Sequence, residues 1–321
     1  MAMGSNLKAR IQRFIYPVPA TLADNQIPDT VERMGAVQKA LEQHYFLGWR
    51  AKDTVSPQSY ACDLNNHVID RMKQDRQRIV PWLNATVPLK GASILEIGCG
   101  TGASTVALAE QGARVTAVDL DPGSLEVARR RCDVYGVSID FRLANAVDVL
   151  ERTEVGSYQL IIFFACLEHM SHSERIACLR LAWQILPPNG TMAVVETPNR
   201  LWYFDAHTSL LPFYHWLPDD LALKYSRFSS REGFNDLCRN NTPEDLEHFL
   251  RRGRGASFHE FEVAIGPAKD LAVHSLKEFQ RPWSALRRPR ADRQYQRLLQ
   301  RLQPGLASGW FEEWLDITIR R

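Results

Sequence analysis

The sequence predicts an α/β protein built on a mostly parallel sheet with helices on both faces, and three observations predict it. Between Ser93 and Asn199, apolar strand-like runs alternate with helical patterns. The first strand ends in a turn punctuated by Gly98, Gly100 and Gly102, and that turn opens a helix. The second strand ends on an acid, Asp119.

Residues 1–90 precede this unit and read as helical. DTVERMGAVQKALEQHYFLGW has apolar residues at helical spacing after a capping Asp29 or Thr30, and a second such segment runs from Ser56 to Leu83. The alternation proper then runs ILEIG, a helix from Ala103 to Gln111, RVTAVDL, a helix from Pro122 to Tyr135, IDFRLA, YQLIIFFACL, a helix from Ser171 to Leu186, and TMAVVET. Pro187-Pro188-Asn189-Gly190 is the break before the fifth strand. Residues 200–241 abandon the pattern, with dense aromatics broken by Pro212 and Pro218. TPEDLEHFLRRG reads as a helix capped by Thr242, SFHEFEVAIG as a strand, residues 269–303 as helical, and WFEEWLDITIRR as a closing strand.

The glycines allow a tight turn and let a ligand lie against bare backbone, while the following helix turns its amides and positive dipole end toward it. An acid at the next strand's tip accepts hydrogen bonds from ribose hydroxyls. These residues point to a nucleoside-containing cofactor. Gly98-Gly100-Ala103 by itself also satisfies the loose dinucleotide pattern.

Glu96 two residues before Gly98, the triplet Gly-Cys-Gly-Thr-Gly, and Asp119 together resemble the class I S-adenosylmethionine (SAM) dependent methyltransferases, whose first motif is E/D-x-G-x-G-x-G. FRLANAVDVL, LIIFFACLEHM and NGTMAVVETPN extend the resemblance over residues 91–200. It implies a Rossmann-like sheet of seven strands, mostly parallel, closed by an antiparallel strand. It also implies an N-terminal helical cap at 1–90, a catalytic domain at 91–321, and a lid-like insertion at 200–241. SAM, leaving as S-adenosylhomocysteine, is the implied cofactor. Its implied contacts are Tyr60, Glu96, Gly98, Cys99, Gly100, Gly102, Asp119, Leu120, Asn145, Ala146 and Cys166. Asn145 stands where relatives carry Asp, and its carbonyl is expected to take the adenine amino hydrogen.

A net charge of +2 over 321 residues carries no global field for nucleic acid or an acidic surface. Six cysteines without a C-x-x-C pair read as free thiols in a reducing compartment, and the longest apolar run, Leu160 to Leu167, is far short of a membrane span. A cytoplasmic protein is expected, with oligomeric state open, a homo-oligomer included. Seven arginines between Arg281 and Arg301 read as a solvated helix face, with RNA contact as the alternative.

Methyl transfer needs alignment and, for a hydroxyl, a base. His207, with Asp205 to orient it, is the first candidate and His169 the second; the bland reading of His207 is a ring packed among aromatics. Some relatives bind a divalent metal through Glu-x-x-Glu-His. Here Ala165 replaces the first Glu beside Glu168 and His169, so no metal is expected. Arg200, Trp202, Tyr203, Phe204, His215 and Trp216 are expected to line a small-molecule pocket, with an ordinary hydrophobic core beneath a lid as the alternative for the aromatics and a surface arginine as the alternative for Arg200. The expected acceptor is a hydroxyl of a sugar, lipid-linked glycan or specialised metabolite. Nitrogen or sulfur acceptors, RNA modification and a non-catalytic scaffold are the competing readings.

Overall fold

The computed structural model describes residues 19–231, 234, 242, 246, 249–280 and 289–321. Seven strands form the sheet: β1 Ser93–Ile97, β2 Arg114–Asp119, β3 Asp140–Leu143, β4 Leu160–Phe164, β5 Thr191–Pro198, β6 Ala272–Ser275 and β7 Trp314–Arg320, in the order β3-β2-β1-β4-β5-β7-β6. β7 runs antiparallel to both β5 and β6, and the remaining recorded pairings are parallel. The predicted fold class is the observed one.

Contacts divide the chain into two compact units, Met1–Ala144 with Leu276–Arg288, and Asn145–Ser275 with Pro289–Arg321. In the first, β1 is almost wholly buried, because Ile94, Leu95 and Ile97 are covered on both faces as parallel strands require. Thr30 caps the helix Val31–His44 by accepting from Arg33 N, as expected, and that helix packs on the helix Pro122–Tyr135. Helical structure continues from Pro57 to Thr86, with Pro81 in its last segment, Val80–Thr86. Arg76 anchors these helices, bonding Asp29 and Glu110 at 2.8 Å each.

The second unit holds β4, β5, β7 and β6. β5 carries an irregularity between Val194 and Thr197, where Glu196 adopts φ +56°. Leu211, Ala222 and Leu223 build a small core with the buried rings of Tyr214, Phe234 and Phe249.

Two predicted elements differ. SFHEFEVAIG is not a strand: Phe258–Ala264 is a helix, opened by a capping box between Ser257 and Glu260. Phe258, Phe261 and Ala264 are buried at helical three-residue spacing, and this periodicity outranks the apparent alternation. The strand beside β7 lies instead at Ala272–Ser275, inside the segment expected to be helical, of which Arg290–Leu302 is a helix. Residues 243–245, 247 and 248 of the helix predicted after Thr242, and residues 281–288 of the arginine-rich run, lie outside the described residues, as does Cys238. Among the described residues no helix is long and apolar enough to cross a membrane, and the five described cysteines are free.

Candidate functional site

The glycine turn follows β1 in the first unit. Gly98, Gly100 and Gly102 have φ of +83°, +50° and +79°, a region that other residues enter only with strain. A Cβ on Gly102 would lie 2.9 Å from Ala128, whereas one on Gly100 would meet nothing within 4 Å. Gly102 is therefore small for packing, and Gly100 leaves an open cradle along the backbone. Asp119 Oδ2 accepts from Gly100 N at 2.8 Å and Oδ1 from Asp121 N at 2.9 Å. Each oxygen keeps a lone pair for a further donor. Burial raises the Asp119 carboxyl, against the backbone amides that lower it. Leu120 beside it is 62% exposed, an apolar side chain left uncovered next to the acid.

Glu96 is fully buried, and both oxygens are taken, by Ser104 Oγ and by Thr105 Oγ1 at 2.6 Å. Burial lifts its pKa to about 7. It ties β1 to the helix Ala103–Ala109, so it supports the turn and does not face a ligand. Cys99 is buried with its thiol raised by burial and by Glu96 and Asp119. Beneath the turn, His67 Nδ1 lies 3.1 Å from Thr101 Oγ1, and Arg131 donates to the carbonyls of Thr101 and His67 at 2.8 and 2.7 Å. Burial, together with Arg71, Arg131 and Arg50, pushes His67 down to about 2, so it stays neutral. Tyr60 is buried against Phe46, which also meets His67 edge-on.

In the second unit, Glu168, His169 and His207 offer ligand atoms all within 4.8 Å of one another. Glu168 is fully buried; Oε2 accepts from Thr197 Oγ1 at 3.0 Å, and Oε1 has no hydrogen-bond partner. That oxygen faces His207 Nε2 at 3.7 Å and His169 Nε2 at 3.9 Å. His169 Nδ1 lies 2.8 Å from the Arg251 carbonyl, which can only accept, so Nε2 of the neutral ring carries the lone pair. His207 Nδ1 pairs with Thr208 Oγ1 at 2.9 Å, and the ring stands edge-on to Trp314. Burial lowers the His207 pKa, Glu168 opposing. Two residues flanking the cluster, Ala165 (φ +44°) and Glu196 (φ +56°), hold left-handed backbone that non-glycine residues rarely adopt.

Comparison with known proteins bears on these halves. Residues 94–190 match the methyltransferase domain family. A ubiquinone biosynthesis O-methyltransferase of Xanthomonas campestris is 35% identical over 119 residues, 37% of this chain and 48% of the relative. The enzyme of the same name from Burkholderia thailandensis is 27% identical over 61% of this chain and 81% of its own length. The chain thus spans about half the length of the first curated relatives it matches. Magnesium protoporphyrin IX methyltransferase of Synechocystis, solved with bound SAM, aligns at 18% identity and TM-score 0.38 over 53% of this chain and 79% of that one.

Several expected site residues take other roles in the structure. Asn145 Oδ1 caps the helix Ala146–Glu151 by accepting from Val147 N at 2.8 Å, which leaves one lone pair and the amide hydrogens for a ligand. Ala146 is buried in that first turn, and Cys166 is half-buried after β4. Asp205 does not orient His207. Its carboxylate gathers the amides of His207, Thr208 and Ser209, and its charge partner is His215, with Nε2 at 3.3 Å. Burial opposes ionisation, yet His215 and these amides hold Asp205 well below the usual carboxylate range. His215 is buried, and its Nδ1 accepts from Gly255 N, so it is a structural residue rather than a substrate contact.

Trp202 is likewise core: it is 3% exposed, packed on Tyr203 and Tyr295. Tyr203 bonds Asp292 through its hydroxyl at 2.5 Å. Phe204 and Trp216 remain exposed, and Trp216 lines a cavity with Arg200. The premise that the metal ligand set is one short also changes, since His207, from the segment after β5, stands where a third donor is needed. Sequence reasoning missed Gly253 as well, whose φ is +124° and whose Cβ would lie 2.3 Å from Thr208 Oγ1 and 3.2 Å from His207 Nδ1. The repeated Arg-Gly of RRGRG was its only trace in the sequence.

Proposed function

We propose that the chain is a SAM-dependent methyltransferase acting on a hydroxyl of a small molecule. The observation that carries this reading is the unpaired Glu168 Oε1, buried and facing two imidazoles. The bound cofactor supplies a methyl group already activated on a sulfonium. The chain supplies the rest. The open backbone at Gly100 admits the cofactor, Asp119 accepts from ribose hydroxyls, and Leu120 offers apolar surface to the base. His207 is held neutral near pH 7 by burial and takes the acceptor's proton at Nε2 as the oxygen gains the methyl group. Glu168 stabilises the imidazolium that results. The oxygen chemistry named for the relatives points the same way. Sugars, lipid-linked glycans and specialised metabolites are the acceptor classes in view.

The test is to incubate the purified chain with methyl-labelled SAM and panels of phenols, sugars, amines and thiols. Label on oxygen, lost in His207→Ala, is expected. Label on nitrogen or sulfur, with His207→Ala turnover unchanged, would replace the reading by an acceptor that needs no base.

A second reading has its own observation. Both imidazoles are anchored at Nδ1, the outer fixing typical of metal-ligating histidines. Glu168, His169 and His207 would then hold a divalent cation that acidifies the acceptor hydroxyl. Turnover that persists in excess chelator supports the base; turnover lost and then restored by magnesium, manganese or zinc supports the metal.

A further inference from the structure

A cavity of about 340 Å³ lies within the second unit, lined by Arg200, His172, His259, Leu201, Trp216 and Val263 among others, and it contains none of Glu168, His169 or His207. Its wall is mainly apolar. Trp216 and Val263 are 46% and 62% exposed, although both are side chains that burial would favour. Trp216 is held in place by rings on either side, Phe213 at 4.9 Å and Tyr295 stacked at 6.4 Å. The apolar surface is therefore ordered and uncovered.

The charge at one end is unbalanced. Three arginines, Arg175, Arg200 and Arg254, lie near enough that Arg200 works against the charge of the other two, beneath the larger effect of burial. Arg175 is fully engaged, with Glu260 Oε1 at 3.1 Å and the carbonyls of Leu167, Gly255 and Arg254. Arg254 donates to the carbonyls of Tyr214 and Leu217 and pairs with Asp219 at 3.3 Å. Glu260 spends its second oxygen on Ser257. Glu260 and Asp219 are thus committed, and the side chain of the half-buried Arg200 has no hydrogen bond or ion pair among the described residues. Arg200 is partly exposed, so its five donors meet solvent and are free to turn to the oxygens of a ligand. His259 adds to this end: its Nδ1 pairs with Ser257 Oγ at 3.1 Å, which leaves Nε2 free.

We propose that this cavity binds a small amphipathic anion, with a carboxylate or phosphate on Arg200 and an apolar body against Leu201, Trp216 and Val263. A guanidinium fork matches the paired oxygens of either group. The apolar wall then separates this ligand from a free inorganic anion, which would leave that surface wet. The binding does not depend on methyl transfer, so it stands or falls apart from the methyltransferase reading.

Calorimetric titration of the full chain decides it, with octyl phosphate, octanoate, octanol and inorganic phosphate as probes. The wild type should bind octyl phosphate or octanoate at least tenfold more tightly than octanol or inorganic phosphate. Arg200→Gln, which removes no hydrogen bond, should bring the anions down to the affinity of octanol and leave octanol unchanged. Val263→Trp, on an exposed helix face, should fill the cavity and weaken every alkyl probe. Unfolding temperatures matching the wild type show that both variants are folded. Anions bound no more tightly than octanol, or an Arg200→Gln chain that binds them like the wild type, would overturn the proposal.

Discussion

Glu96 and Glu168 are both carboxylates with no exposed surface, yet they are opposite in kind. Glu96 has each oxygen met by a hydroxyl, and nothing further can reach it without breaking a bond. Glu168 has one oxygen met by Thr197 and the other unpaired, aimed between two imidazoles. A buried charge left half-satisfied destabilises the fold, and a chain that carries one gains a group able to bind a proton, a metal or an imidazolium. The strained backbone at Ala165 and Glu196 lies beside Glu168, which fits strain held where chemistry occurs. The motif acid of the glycine turn thus acts as scaffold, and in the proposed reading the second acid takes part in the chemistry.

The sharpest way to break this contrast is His207→Ala. Turnover should fall about 10²–10⁴-fold, the range for loss of a general base, while calorimetric affinity for S-adenosylhomocysteine stays unchanged. An equal loss in both would make His207 a structural residue. Asp119→Ala should act in the reverse sense, on binding first. Each charge-assisted bond lost is worth about 1.5–3 kcal/mol, roughly 10–150-fold in affinity. Glu168→Gln should lower turnover by about 10–100-fold, as for partners that orient a reacting group, whereas Glu96→Gln should change turnover little. Equal effects of the two substitutions would erase the distinction.

The pH dependence sharpens the comparison further. Because burial lowers the His207 pKa below its ordinary 6.5, the rate should rise with pH and reach half its maximum below that value. A midpoint above 6.5 would mean that Glu168 outweighs burial. The smallest effect concerns stability. The Glu96 pKa is raised from 4.5 to about 7, so its neutral form belongs to the folded state, and stability from it is lost as pH rises between these values. The gap in unfolding temperature between Glu96→Gln and wild type should therefore widen in favour of the variant from pH 4.5 to 7 and then level off. A gap that is constant across that range would show that folding does not raise the Glu96 pKa.

The cofactor half was legible because its signals are local. Three glycines in five residues and an acid at the next strand's end lie close in sequence, and their φ angles and the Gly100–Asp119 bond agree with the pattern. The aromatic insertion was legible only as a composition. Trp202 and His215 looked like pocket residues because aromatics and histidines suit pockets, but burial decides their role, and burial depends on what packs from elsewhere. Phe258–Ala264 was misread because Phe-x-x-Phe with alternating glutamates satisfies both periods over so few residues.

By itself the sequence determined the five strands between Ser93 and Pro198, the glycine turn and the acid that follows it. Each of these depends on backbone preferences and hydrophobic periodicity within a few residues. Only the tertiary structure decided which groups share a site. It placed His207 against Glu168, gave Asp205 to His215 instead, and committed Glu260 and Asp219 to other arginines so that Arg200 stands alone. These pairings join residues far apart along the chain. They follow from how buried charges find partners in three dimensions, which neither spacing nor composition encodes.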